Sequence, residues 1–145
     1  MNWTLLAAVA AMAMLTWEIV TEWVPMYPLN DLSAQPTRLR LIAAAANYPV
    51  MAAIAVLFAV GNVVTTLIGA GLCLVVLGGH LRSWWIPYLT GRASASWQVH
   101  YERDYQRTLK LLPRRPYMPD AQHMVVGLIA VAMVVTGVAA SVQVL

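Results

Sequence analysis

Residues 41–79 read LIAAAANYPVMAAIAVLFAVGNVVTTLIGAGLCLVVLGG, a stretch without one charged side chain. Wound as a single helix it would run about 58 Å at ~1.5 Å per residue, nearly twice the ~30 Å hydrocarbon core of a bilayer. The chain must therefore turn inside it. Gly61-Asn62 is the natural place, because both residues tolerate the left-handed backbone of a tight turn. Two membrane spans follow, at about 41–60 and 63–79.

Working outward, residues 3–23 and 122–144 are also long and continuously apolar. They lack the apolar–polar alternation of barrel strands, so helices are expected. The first span has no basic residue before it, so it reads as a membrane helix rather than a signal peptide, with Met1 starting the mature chain. The whole chain is 61% hydrophobic and 10% charged, with a mean hydropathy of +0.67. That is too little polar material to cover a water-soluble surface. The expectation is an all-α integral membrane protein, a single membrane domain over residues 1–145 built as a four-transmembrane-helix bundle.

Charge supports four spans independently. The N-terminal end, the Gly61-Asn62 turn and the C-terminal end carry no lysine or arginine. Arg38 and Arg40 lie in the first connection, and Arg82, Arg92, Arg103, Arg107, Lys110, Arg114 and Arg115 in the third. By the positive-inside rule, both connections are cytoplasmic and both termini lie outside, in the plasma (inner) membrane of a bacterium. The bacterial source is suggested by arginine-over-lysine usage and abundant Ala, Val and Leu. Five of the six tryptophans and all tyrosines fall on the basic side, as an interfacial aromatic belt would place them.

The cytoplasmic segment, residues 82–121, has seven basic and three acidic side chains. Arg82-Ser83-Trp84-Trp85-Ile86-Pro87 is expected to end the third helix. From Ala95 to Leu112 a helical period returns, with Trp97, Tyr101, Tyr105, Leu109 and Leu112 on one stripe and Gln98, Arg103, Gln106, Arg107 and Lys110 opposite. This predicts a cytoplasmic amphipathic helix lying under the bundle, between spans three and four. Pro113, Pro116 and Pro119 then exclude regular helix, and Asp120 stands where a carboxylate caps the fourth span. Small residues recur at Gly61, Thr65, Gly69 and Cys73, with Ala7, Ala11, Ala45, Ala52, Ala55 and Ala59 on the first two spans. Such stripes permit close helix packing, within one chain or between copies.

The polar residues of the spans converge on one depth. Glu18 sits roughly 7 Å inside Trp23 at 1.5 Å per residue, where an ionised carboxylate must be paired, protonated or wet. Asn47 or Arg40 is its expected structural partner, and Glu22 reads as a solvated or arginine-paired interfacial charge. Proline in Asn47-Tyr48-Pro49 is expected to bend the second span. Glu18, His123 and Asp120 are the candidate catalytic acid–base groups. Glu22, Arg40, Asn47, His80, Trp84 and Trp85 are the candidate substrate- or lipid-contacting groups.

Glu18, Glu22, Asp120-x-x-His123 and His80 also offer ligand types that zinc, manganese or iron accept. Neither HExxH nor a second Glu-x-x-His is present, so no metal ligand is assigned and the sequence identifies no cofactor. The single Cys73 excludes an intramolecular disulfide. There is no P-loop, Rossmann or G-x-S-x-G pattern and no nucleic-acid motif.

Three functional classes remain. The leading expectation is a non-catalytic accessory or scaffold subunit that binds lipid or a protein partner at the inner face. A membrane enzyme acting on a lipid or isoprenoid-like substrate is the alternative, and a proton-coupled transporter or channel subunit a further one. The expected partners are membrane lipids and a second copy or another membrane protein; nucleic acid is not among them.

Overall fold

Four apolar helices traverse the computed structural model, which describes residues 1–145. Helix α1 covers Trp3–Trp23, α2 Thr37–Val60, α3 Val63–His80 and α6 Ala121–Val144. Each N-terminus meets a residue suited to it. Asn2, Asn62 and Asp120 accept the backbone N–H of Leu5, Thr65 and His123, satisfying amides that have no partner inside the helix. Gly61 closes α2 in the left-handed conformation, φ 69°, so the predicted turn is the observed one. Helix α2 begins four residues before the apolar stretch, directly after an extended Pro36, because backbone propensity ignores the hydrocarbon boundary.

In the bundle α1 packs on α2 and α6, and α3 on α2 and α6, a square arrangement with the helices in the order α1, α2, α3, α6 around it. The N–H of Trp3 donates to Oε1 of Gln143 at 2.9 Å, tying the two chain ends together on the face that also carries the Gly61 turn. All nine basic residues lie on the opposite end.

Phe58, the one phenylalanine, sits at the centre and is 1% exposed. Its ring fills the notches of Gly69 on α3 and Gly137 on α6, where an added Cβ would come within 3.2 and 3.1 Å of ring carbons. The small residues of α3 are thus used within the chain, Gly69 and Cys73 being buried among its own helices. On α2 the buried face is Ala44, Met51, Ile54, Ala55 and Phe58, whereas Ala45 and Ala59 point outward. The small-residue stripe expected on α2 is therefore only partly buried, because Phe58 and Met51 set the helix rotation. Pro49 is accommodated inside an uninterrupted α2.

Two expectations for the basic end are corrected. The third helix does not stop at Arg82; it widens into a π-helical segment, Leu81–Trp85, and continues as α4, Ile86–Thr90, to the left-handed Gly91. The N–H of Ile86 reaches back to the carbonyl of Leu81. This wider turn relieves the clash Pro87 would make with the carbonyl four residues earlier. The amphipathic helix, α5, covers Ala95–Asp104 and does not reach Leu112. Beyond it the backbone is recruited elsewhere. The N–H of Leu109 donates to the carbonyl of Pro28 and the N–H of Ala121 to that of Leu109, both at 2.8 Å. Those bonds between distant segments replace the ones a longer helix would have made.

Helix α5 does lie under the bundle, as its aromatic stripe predicts. Trp97 and Tyr105 meet Trp84 edge-on, with ring centroids 5.5 and 4.9 Å apart.

Candidate functional site

A cavity of about 450 Å³ opens among the four spans at the basic end. Seven of the residues singled out in the sequence line it: Glu18 and Glu22 from α1, Arg40 and Asn47 from α2, His80 closing α3, Trp84 from the π segment, and His123 from α6. Asp120 and Trp85 do not. Asp120 lies behind His123, fully buried at the start of α6. Trp85, one residue further round the π turn, faces another way and meets Tyr88 edge-on at 6.0 Å instead. Sequence reasoning missed His100 and Asp104 on the floor, and Thr21 and Gln122 on the wall. The i, i+4 spacing of His100 and Asp104 was the available signal; their ring-to-carboxylate contact is 3.1 Å.

The most ordered part of the site is a carboxylate–imidazole pair. Oδ1 of Asp120 meets Nδ1 of His123 at 2.7 Å and accepts the His123 backbone N–H at 2.9 Å. Thr108 donates its hydroxyl to Oδ2 at 2.8 Å. Burial acts to raise the Asp120 pKa, but the charge and hydrogen bonds of His123 and the Thr108 hydroxyl outweigh it and hold the carboxyl below its ordinary value. The His123 ring is clamped over Trp84, centroids 3.8 Å apart, with Tyr105 edge-on at 5.0 Å. With Nδ1 engaged by Asp120, Nε2 is the nitrogen left for other chemistry.

The carboxylates of α1 behave differently from expectation. Tyr48 donates to Oε2 of Glu22 and itself accepts from Nε1 of Trp23 at 3.0 Å. Arg40 does not pair with either glutamate side chain: it donates to the Glu22 backbone carbonyl and to Oγ1 of Thr37, each at 3.1 Å, and lies 5.1 Å over the Trp23 ring. Its Nε is sealed from solvent without a partner. Glu18 has neither Asn47 nor Arg40 as a partner; its Oε2 is buried with no hydrogen bond. The span geometry explains the difference, since Tyr48 and the α1 carbonyl lie nearer to Glu22 and Arg40 than Glu18 does. An unsatisfied buried polar atom costs about 1–3 kcal/mol, and more when charged.

His80 is buried, and its Nε2 also lacks a partner. The ring edge fills the notch of Gly127 on α6, where a Cβ would come within 2.7 Å of Nε2. No three His, Cys, Asp or Glu side chains are grouped closely enough to hold a metal ion, so the ligand types noted in the sequence do not converge. No charged side chain lies in the spans between the cavity and the Gly61 end.

The cavity has a side opening. On α2 its lining residues Leu39, Asn47 and Val50 are exposed, and on α3 so are Val75 and Gly79. The gap between these two helices therefore leads out to the lipid-facing surface, past a rim that is apolar except for Asn47. Comparison with protein-family models, curated proteins and solved structures found no match. The fold and site define a small all-helical polytopic membrane protein with a cavity of mixed polarity at its basic end.

Proposed function

We propose that the protein binds an amphipathic, lipid-like molecule, taking its polar head into the cavity while its chain stays in the bilayer, and that it does so as a non-catalytic membrane subunit. The side opening between α2 and α3 carries this reading: an apolar rim of Leu39, Val50 and Val75 leads to Glu18, Arg40, His80 and His123. That is the polarity sequence of a lipid, from chain to head. The basic end faces the cytoplasm, because it holds every lysine and arginine.

The test is native mass spectrometry of protein released from neutral detergent. Gly79 lines the cavity at its opening and has open space where a Cβ would stand, so Gly79→Leu adds bulk at the mouth without a backbone clash. Wild type is expected to carry one amphiphile per chain, and Gly79→Leu to lose it several-fold. A wild type without lipid, or a variant that retains it unchanged, overturns the reading.

Orientation is checked with a membrane-impermeant thiol reagent, since buried Cys73 stays silent. A cysteine replacing Asn2 is expected to react in intact cells, and one replacing exposed Ser96 only after lysis. The reverse pattern puts the basic end outside.

A second reading, an acid–base enzyme on the same ligand, is favoured by the Asp120–His123 pair. Asp120 fixes the ring so that Nε2 can exchange a proton with a bound head group. Conversion of the co-purified amphiphile by wild type but not by His123→Gln would select this reading over simple binding. The proton-coupled transporter reading gains no support from the uncharged outer half of the bundle.

A further inference from the structure

From two half-buried groups that ignore each other, we infer that the occupant of the cavity has a zwitterionic head, an ammonium joined to a phosphate. The inference rests on the lipid-binding reading and names its ligand class.

Glu18 and Arg40 line one cavity, yet they are not within salt-bridge distance. The three ion pairs of the molecule are His100–Asp104, Arg103–Asp104 and His123–Asp120. Each of the two groups keeps a sealed atom with no partner, Oε2 of Glu18 and Nε of Arg40. A membrane interior penalises an unpaired charge, so opposite charges sharing a cavity ordinarily close on each other. Arg40 is held away by its bonds to the Glu22 carbonyl and Thr37 and by its seat over Trp23. A ligand with one charge of each sign offers each group an opposite charge inside the cavity they share.

The polarity of the two ends is set by their chemistry. The Glu18 carboxylate accepts hydrogen bonds, which a primary ammonium supplies. Arg40 presents guanidinium N–H donors to phosphate oxygens. Of the other carboxylates facing the cavity, Glu22 accepts from the Tyr48 hydroxyl and has the Arg40 guanidinium on its own backbone carbonyl, and Asp104 pairs with His100 and Arg103. His80 and His123 complete the polar wall, with His123 committed through Nδ1 to Asp120. A glycerol head offers only neutral hydroxyls to Glu18, and a trimethylammonium head has the charge but no N–H to donate.

Short-chain phosphatidylethanolamine, phosphatidylcholine and phosphatidylglycerol of equal acyl length, titrated onto delipidated full-length protein in neutral detergent and read by native mass spectrometry, decide the matter. High ionic strength screens the diffuse attraction of the basic end for anionic lipid. Phosphatidylethanolamine is expected to bind about tenfold more tightly than phosphatidylglycerol, the difference of one charge-assisted hydrogen-bonded contact, with phosphatidylcholine between them. Glu18→Gln should abolish the preference for ethanolamine over glycerol heads. Arg40→Gln should weaken all three lipids alike by about tenfold.

Equal affinity of the wild type for ethanolamine and glycerol heads overturns the inference but leaves the lipid-binding reading standing. Absence of any lipid binding overturns both. The comparison of head groups uses wild-type protein alone, so it holds even where a variant fails to fold.

Discussion

Phe58→Ala is expected to lower bundle stability by about 3 kcal/mol, the lower end of the range for deleting a buried phenylalanine. The ring touches Gly69 on α3 and Gly137 on α6 from its place on α2, so its removal leaves a void where three helices meet. In lipid the transfer part of the usual penalty is small, because acyl chains solvate an apolar ring as well as the bundle does. What remains is the lost contact and the unfilled space, which glycine backbones cannot collapse to fill. Unfolding in mixed detergent micelles with rising denaturing detergent measures the loss. Phe58→Leu should recover more than half of it. A Phe58→Ala protein as stable as wild type would mean the helices do not close on that ring.

Asp120→Ala should cost about 2–4 kcal/mol, through two separable effects. Loss of an N-terminal cap accounts for about 1 kcal/mol. The rest comes from the Thr108 hydroxyl and the His123 ring, which lose a buried acceptor. Asp120→Asn keeps the cap and should be milder, so its loss relative to wild type isolates the charge. The pH dependence follows in sign. The folded carboxyl titrates below its ordinary value of 3.8, so the pair contributes fully above that pH and its stabilisation is lost as pH falls through the lower folded value. Wild type should therefore lose stability under strongly acid conditions in a way Asp120→Asn does not. Parallel acid profiles for the two proteins would rule the pair out as a stabilising element.

The polar residues that gather at the cavity were largely visible in the sequence because a membrane forces the issue. Glu18 at its depth is conspicuous in any reading, and counting 1.5 Å per residue brings Asn47, His80 and His123 to the same level. Depth, however, fixes only one coordinate. It could not distinguish Trp84, which faces the cavity, from Trp85, which faces Tyr88. It gave Glu18 the wrong partner, because pairing depends on helix rotation and on competition from Tyr48 and backbone carbonyls. His100 and Asp104 went unnoticed because they reach the cavity from α5, a helix outside the spans.

The amino-acid sequence alone determined the four spans, the Gly61-Asn62 turn and the gathering of every basic group at one end. Those features follow from local transfer energies, and hydrocarbon cannot accept unpaired backbone or charge wherever it occurs. Only the tertiary structure decided that α5 stops at Asp104, that the third helix runs on through a π turn, and that Glu18 and Arg40 stay apart. Each of these depends on which distant group competes for the same donor, acceptor or space, and no spacing along a chain records that competition.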